Sequence, residues 1–307
     1  MRLLLHAGTH KTGTTSIQST LAVNREWLRE RGYVFPSLGY SGHNEFAQRL
    51  ARAKPHDVDS FRAELLRVAD PGATLVLSAE EFSTHIVGAS QWRFDRNEYW
   101  NGKREYLKRL HGVLRGFDEV SVFLCFRRHD EFARSLYATN LLSDRYRWSF
   151  EQFRERCAPL FEYRRQVEGF RELFSDVRIT AFESLKHDLV PGFCAWTGIP
   201  VPPIASEPKK VTPDARLVDW LYRRGSETAD PDTFKLRASF ARSKTAALTL
   251  ASATTSLWRS EQEWCDFLEV CVDPEPNFFL PANSLDQSVG SRRKNSAASI
   301  ASLRFGA

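Results

Sequence analysis

The chain opens with a short apolar segment, a loop rich in glycine and threonine, and a segment of helical periodicity, and this order restricts the fold more than any other feature. Residues 3–6 indicate a buried strand, residues 8–15 hold two glycines, four threonines and one lysine, and helical spacing begins at Ile17. A glycine loop between a strand and a helix suits phosphate, because unpaired backbone N–H groups and the helix dipole point at the anion. The first residues therefore predict an α/β fold with an anion-binding loop.

Strand and helix patterns alternate through residues 1–200. Apolar runs at residues 73–77, 120–126 and 177–182 predict further strands, and residues 33–36 predict a short edge strand. Helical patterns separate them at residues 16–31, 61–68, 103–114, 163–174 and 185–196. This alternation favours parallel β-α-β units, so we predict an α/β three-layer sandwich around a parallel sheet. A helical C-terminal part follows, and we predict one domain over residues 1–307.

Composition excludes several classes of protein. Hydrophobic residues make up 42% of the chain and charged residues 26%, which is ordinary for a globular protein. Five cysteines without a C-x-x-C pair indicate neither a zinc site nor a disulfide framework, so no metal is predicted. No apolar run approaches the ~18 residues that span a bilayer, and the three N-terminal leucines are too few for a secretion signal. We predict a cytoplasmic protein without an integral membrane segment.

The loop fits the phosphate loop of kinases and ATPases, G-x-x-x-x-G-K-[ST], only in part. Gly8, Gly13 and Thr15 match its glycines and its hydroxyl residue, whereas Thr14 stands where that loop has lysine. Lys11 lies inside the loop instead, so its side chain reaches an anion from another direction. One possible function is that of a P-loop nucleotide kinase or phosphotransferase. Such an enzyme would need Mg²⁺ and an aspartate at the end of a neighbouring strand.

The segment Lys11-Thr12-Gly13-Thr14-Thr15 resembles the phosphosulfate-binding loop of the sulfotransferase superfamily, K-[ST]-G-[TS]-[TS] after a first strand. The resemblance implies a P-loop-like sulfotransferase fold and 3′-phosphoadenosine 5′-phosphosulfate (PAPS) as co-substrate. It implies that these five residues bind the 5′-phosphosulfate and that Lys11 contacts the oxygen bridging phosphorus and sulfur. Independently of any family, a cation at that oxygen stabilises the charge that builds during sulfuryl transfer.

A second segment supports the same family. The superfamily's 3′-phosphate site consists of an arginine at a strand end and a serine eight residues later, R-x-P-x-x-x-x-x-S, and Arg127 and Ser135 match that spacing. Arginine suits phosphate through its bidentate donors. His129 stands where the family usually has proline, which alters the turn but removes neither phosphate contact. The resemblance is best over residues 1–200.

A general base is also required, because an acceptor hydroxyl must lose its proton. Glu80 and Glu81 follow the strand at residues 73–77, and we favour Glu80. His43 is the rival base, since the family uses glutamate or histidine in different branches, and His10 is a lesser candidate.

The ligands beyond the nucleotide are less determined by the sequence. The acceptor is expected to be a glycan, a lipid, a small metabolite or a protein tyrosine. The net charge of +5 favours anionic ligands, but the aromatic residues fall on buried faces, so no nucleic acid is expected as a partner. Residues 284–307 form a basic tail, expected either to be flexible or to fold over a ligand. Within it, Arg292, Arg293 and Lys294 resemble in charge the loop that covers the 3′-phosphate in cytosolic sulfotransferases.

Overall fold

The structure, a computed structural model, describes residues 1–40, 42–84, 95–142, 148–205, 260–271, 273–275 and 278–279. The predicted basic tail over residues 284–307, with Arg292, Arg293 and Lys294, lies outside the described residues. The prediction of a single domain over the whole chain therefore stays a prediction.

A parallel sheet forms the centre of the described chain. Its five strands are β1 (Arg2–His6), β2 (Tyr33–Val34), β3 (Thr74–Ser78), β4 (Glu119–Phe126) and β5 (Asp176–Ala181), in the spatial order β2-β3-β1-β4-β5. Leu4 of β1 pairs with Val76 of β3 on one side and with Ser121 of β4 on the other. Because all the pairings are parallel, every strand ends at the same edge of the sheet.

Helices connect these strands. They are α1 (Thr14–Val23), α2 (Arg25–Arg29), α3 (His43–Arg52), α4 (Val58–Val68), α5 (Glu81–Thr84), α6 (Arg96–Leu114), α7 (His129–Leu142), α8 (Phe150–Arg156), α9 (Tyr163–Arg171), α10 (Phe182–Leu185), α11 (Leu189–Thr197) and α12 (Glu261–Val270). Short 3₁₀ turns lie at Pro55–Asp57 and Ala158–Phe161. No helix among the described residues is long and apolar enough to cross a membrane.

Both faces of the sheet are covered, and alternation along the strands explains how. Leu3 and Leu5 of β1 point into a large core with residues of α3, α4, α6, α7 and α9, whereas Leu4 points into a smaller core with residues of α1, α2 and α11. A strand that is buried on both faces reads as a continuous apolar run, as residues 3–5 and 122–126 do. The predicted α/β three-layer sandwich around a parallel sheet is confirmed.

Two predicted helices have different bounds in the structure. The helix predicted over residues 16–31 breaks at Asn24, whose amide Nδ2 donates to the carbonyl oxygens of Thr20 at 2.7 Å and Ile204 at 2.8 Å. Asparagine competes for backbone groups in this way and so disfavours a continuous helix. The helix predicted over residues 185–196 begins later in the structure, as α11 at Leu189, because Leu185 is the last residue of the short helix α10. Gly198, which adopts a left-handed φ of 78°, caps the end of α11.

Candidate active site at the carboxyl edge of the sheet

The loop between β1 and α1 has a backbone shape that gathers N–H groups. Lys11 and Gly13 both adopt left-handed conformations, with φ of 71° and 75°. Left-handed residues within such a turn direct successive N–H groups into an anion-binding concavity. Thr14 and Thr15 are the first residues of α1, so their N–H groups have no acceptor within that helix. The loop can therefore direct several N–H groups toward one anion.

Glycine is required at two points of this loop because other groups come close. A Cβ on Gly13 would lie 2.5 Å from Leu189 Cδ2 of α11, and one on Gly8 would lie 2.9 Å from His6 Nε2. His6 is buried beneath the loop, where Ser78 Oγ lies 2.8 Å from its Nδ1. Its Nε2 has no hydrogen-bond partner among the described residues. Desolvation lowers the pKa of His6 to about 4, so the ring is neutral near pH 7.

The threonines of the loop divide into structural and accessible ones. Thr12 is fully buried, and its hydroxyl donates to the carbonyl oxygen of Thr9 at 2.7 Å, which closes the turn. Thr14 is buried and its hydroxyl lies 3.4 Å from that of Thr12, whereas Thr15 and Lys11 are half-buried. The side chains of Lys11 and Thr15 are therefore the more accessible ones, and Thr12 and Thr14 hold the loop in shape.

Arg127 brings the second sequence segment to this loop. It follows β4, the neighbour of β1, and its Nη1 donates to the carbonyl oxygen of Lys11 at 3.3 Å. Its guanidinium carbon lies 5.4 Å from the centroid of the Phe182 ring, which follows β5. Its Nε is buried and has no hydrogen-bond partner within the described part of the chain. The structure thus places together two segments that are 116 residues apart in sequence.

Glu131 is a residue of this site that the sequence analysis did not identify. Its carboxylate lies one helical turn beyond Arg127 and 3.2 Å from Arg127 Nη2, and it also pairs with Arg134 Nη1 at 3.3 Å. Arg128, by contrast, makes a bidentate pair with the buried Asp130, with distances of 2.7 and 3.0 Å. The i, i+4 spacing of Arg127 and Glu131 was the signal available in the sequence.

Ser135 lies on α7, two turns beyond Arg127 and one turn beyond Glu131. It is buried, and its carbonyl oxygen accepts a hydrogen bond from Thr139 Oγ1 at 3.0 Å. Glu131 and Ser135 are four residues apart on α7 and so share one helix face, and Arg127, which precedes the helix, contacts Glu131. Glu131 therefore stands between the two residues that the resemblance assigns to the 3′-phosphate.

Glu80 and His10 form a pair where β3 ends beside the loop. Glu80 Oε1 lies 3.1 Å from His10 Nδ1, and both side chains keep about a fifth of their surface exposed, at 17% and 23%. Ser83 of α5 donates from its hydroxyl to the carbonyl oxygen of Gly8 at 2.9 Å, which fixes this segment to the loop. Glu80 is thus the sequence-predicted base that lies against the loop.

Glu81 and His43 face the interior instead. Burial raises the pKa of Glu81, and its Oε1 accepts from Gln48 Nε2 at 3.4 Å. His43 accepts the Ser78 N–H at its Nδ1, at 2.9 Å, and its Nε2 donates to the carbonyl oxygen of Pro36 at 2.8 Å. Both ring nitrogens of His43 are therefore occupied by backbone, and desolvation lowers its pKa to about 4.

His129, the residue in place of the family's proline, is also structural. Its ring stacks on Tyr163 with centroids 4.1 Å apart, and its Nε2 lies 3.1 Å from the carbonyl oxygen of Phe161. Tyr163 in turn donates from its hydroxyl to the carbonyl oxygen of Arg127 at 2.9 Å. His129 thus packs behind Arg127, in the turn that orients it.

No protein-family model matches the chain, and no curated protein matches its sequence. Among solved structures, the chain is similar to a sulfotransferase from Alicyclobacillus acidocaldarius at 18% identity and a TM-score of 0.39. The likeness covers 80% of this chain and 97% of that one. A likeness of this degree carries no argument about function, which depends on the site itself.

Proposed function

We propose that the chain is a sulfotransferase that moves a sulfuryl group from PAPS to a hydroxyl or amine acceptor. The observation that carries the proposal is the contact between Arg127 Nη1 and the carbonyl oxygen of Lys11. Two elements suited to phosphate, a loop that opens a helix and an arginine at a strand end, meet at the carboxyl edge of one parallel sheet, where ligands of open α/β sheets bind.

The residues fit a doubly phosphorylated nucleotide. The loop supplies N–H groups and the accessible side chains of Lys11 and Thr15 for the 5′-phosphosulfate, and Gly13 keeps the approach open. Arg127 supplies a guanidinium beside the loop, and its planar fork of donors suits the oxygens of a 3′-phosphate. We assign Ser135, four residues beyond Glu131 on α7, to the same phosphate.

The chemistry assigned to the site is an in-line displacement at sulfur. The acceptor oxygen or nitrogen forms a bond to sulfur while the bond between sulfur and the bridging oxygen breaks, and 3′-phosphoadenosine 5′-phosphate leaves with the electron pair. We assign Lys11 to the bridging oxygen, where the ammonium stabilises developing negative charge more in the transition state than in the ground state. No metal is required for this step.

Glu80 is assigned as the base that takes the acceptor's proton, with His10 holding its carboxylate in position. The assignment rests on the 3.1 Å contact between the two and on their position beside the loop. His43 is not assigned a chemical role, because a ring with both nitrogens bonded to backbone has no lone pair available for an acceptor.

Calorimetry with 3′-phosphoadenosine 5′-phosphate and with ATP, each with a chelator present, tests the proposal against the kinase alternative. A sulfotransferase is expected to bind the first nucleotide without metal and at least ~10-fold more tightly than ATP, because only the first offers a 3′-phosphate to Arg127. Binding of ATP that depends on Mg²⁺ and exceeds binding of the other nucleotide would instead support phosphoryl transfer.

A further inference from the structure

Three side-chain amides lie around the end of β3, where the chain continues to the proposed base Glu80. Gln18 belongs to α1, and Asn44 and Gln48 belong to α3. Helix α1 covers one face of the sheet and α3 the other, because their apolar residues belong to different cores. The side chains of Gln18 and Asn44 nevertheless meet, and they do so beyond the last residue of β3, at the carboxyl edge of the sheet.

A backbone contact fixes the orientation of the Gln18 amide. Its Nε2 donates to the carbonyl oxygen of Ser78, the last residue of β3, at 2.6 Å, and lies 3.4 Å from Asn44 Oδ1. A carbonyl oxygen can only accept, so the nitrogen of Gln18 must face Ser78 and its oxygen must face away. Because Asn44 presents its oxygen to the same nitrogen, the amide nitrogen of Asn44 also faces away.

The groups that remain in this amide pair, Gln18 and Asn44, are one acceptor and one donor. They are Gln18 Oε1 and Asn44 Nδ2. Among the described residues neither atom has a hydrogen-bond partner, and neither is one of the fully buried polar atoms there. Both side chains are half-buried. Solvent therefore reaches both atoms, and a bound molecule can reach them too.

A hydroxyl group is complementary to the amide pair, because it donates one hydrogen bond and accepts another. An ammonium group offers only donors and a carboxylate only acceptors, so each satisfies half of the pair. An apolar group bound there would leave both amide groups without a partner, which weakens binding. The amide pair therefore selects a ligand hydroxyl.

The amide pair lies close to the proposed reaction. Gln18 bonds to Ser78, two residues before Glu80, and two extended residues span at most ~7 Å. Gln18 also follows Thr14 of the nucleotide loop by one helical turn. An acceptor whose reacting hydroxyl faces Glu80 can therefore place a second hydroxyl of the same ring at the amide pair.

We propose that the acceptor of the sulfuryl group is a carbohydrate or another polyol, and that Gln18 and Asn44 select it by bonding a hydroxyl that does not react. This inference rests on the proposed sulfotransferase function. One hydroxyl oxygen forms the bond to sulfur and its proton passes to Glu80, while the bond between sulfur and the bridging oxygen breaks and the nucleotide leaves with the electron pair. A second hydroxyl donates to Gln18 Oε1 and accepts from Asn44 Nδ2.

Sulfuryl transfer from PAPS to myo-inositol and to cyclohexanol tests the acceptor class. The two molecules share a six-membered carbon ring, and only myo-inositol carries further hydroxyl groups beside the reacting one. The wild-type kcat/KM per hydroxyl is expected to be at least ~10-fold higher for myo-inositol, because cyclohexanol leaves the amide pair without a partner. p-Cresol, a phenol that also lacks a second hydroxyl, is expected to react more slowly than myo-inositol.

Substitutions in the amide pair test its role. Gln18→Met removes the acceptor, and Asn44→Asp removes the donor while it keeps an oxygen toward Gln18. Each is expected to lower the preference for myo-inositol over cyclohexanol by ~5–10-fold, mainly through KM, with unchanged affinity for 3′-phosphoadenosine 5′-phosphate. Gln48→Met is the matched control, because this amide contacts Glu81 inside the protein, and it is expected to change the preference by no more than ~2-fold.

Calorimetry with 3′-phosphoadenosine 5′-phosphate separates failure of this inference from failure of the proposed function. If the wild type binds that nucleotide but transfers to cyclohexanol or p-cresol at least as well as to myo-inositol, or to none of the three, the acceptor class is wrong. An equal loss of preference in Gln48→Met and Asn44→Asp would overturn the role of the amide pair. If the wild type does not bind the nucleotide, the proposed function itself fails, and this inference fails with it.

Discussion

The proposed nucleotide site and the buried face of α6 both hold hydrogen-bond donors, and they differ in what contacts those donors in the free protein. At the nucleotide site Arg127 already contacts Glu131 and the Lys11 carbonyl oxygen, and His10 contacts Glu80. On α6, by contrast, Lys103 Nζ and Trp100 Nε1 are buried without a hydrogen-bond partner among the residues that the structure describes. The first site can therefore stay charged and folded while it exchanges ligands. The second lowers the stability of the protein.

The largest expected effect on the proposed nucleotide site comes from the substitution of Lys11. Lys11→Ala is expected to lower kcat about 10²–10³-fold with a modest change in nucleotide affinity, because the ammonium acts mainly on charge that develops in the transition state. Single-turnover kinetics with saturating PAPS measure this. Lys54→Ala, at an exposed lysine beyond α3, is the matched control and should turn over as the wild type does. Wild-type turnover in Lys11→Ala would refute the assignment.

The next effect concerns the base. Glu80→Gln is expected to reduce kcat by about 10²-fold while nucleotide binding is retained, because the amide cannot accept the acceptor's proton. Glu81→Gln is the control, since the neighbouring carboxylate faces Gln48 inside the protein. The measurement is kcat for both variants across pH 5 to 9. Equal losses in the two variants would show that Glu80 has no special role.

A third prediction concerns the effect of the buried Lys103 on the stability of the protein. Lys103→Met is expected to raise the free energy of unfolding by about 1–3 kcal/mol near pH 7, because it removes an unsatisfied buried amine. In the wild type the unfolded chain keeps the Lys103 proton up to a pKa of 10.5, and the folded chain only up to about 7. Between these values the unfolded state binds more protons, so the Lys103 contribution to stability rises with pH.

Urea denaturation at several pH values between 7 and 10 measures this contribution as the difference between wild type and Lys103→Met. That difference is expected to shrink as pH rises. A difference that stays constant with pH, or a variant less stable than the wild type, would contradict a buried amine without a partner.

The smallest expected effect is on nucleotide affinity and comes from the substitution of Glu131. Glu131→Gln removes the carboxylate that pairs with Arg127, and is expected to tighten binding of 3′-phosphoadenosine 5′-phosphate by ~2–5-fold. Glu64→Gln, which breaks the pair with Arg49 away from the site, should leave the affinity unchanged. Weaker nucleotide binding in Glu131→Gln would mean that Glu131 positions Arg127 rather than competing for it.

The two sites also differ in how far the sequence predicts them. The strands at residues 73–77 and 120–126 are largely apolar because they are buried on both faces, so the sequence predicts them. The loop after β1 is predicted from its own consecutive glycine, threonine and lysine residues. The nearness of Phe182 to Arg127 was not, because it depends on β5 lying beside β4, and strand order is a long-range property. Likewise, nothing in the sequence around His43 indicates that both of its ring nitrogens contact backbone groups.

The burial of Lys103 was not predictable from the sequence for a related reason. Lys103 lies in a helix with many charged residues, where a lysine is ordinarily exposed. Its burial follows from the packing of α9 against α6, and Phe170 reaches Lys103 only through that packing. A short motif marks a site formed by consecutive residues, whereas the surroundings of Lys103 are formed by side chains of two helices that are distant in sequence.

The central claim, that Arg127 and the β1–α1 loop hold opposite ends of one nucleotide, is tested most directly by a cycle of four affinities. Wild type and Arg127→Ala are each titrated with 3′-phosphoadenosine 5′-phosphate and with adenosine 5′-phosphate, which lacks the 3′-phosphate. We predict that the wild type favours the first nucleotide by ~10–100-fold and that Arg127→Ala binds the two almost equally. Equal affinities in the wild type, or a preference that survives in Arg127→Ala, would contradict the account.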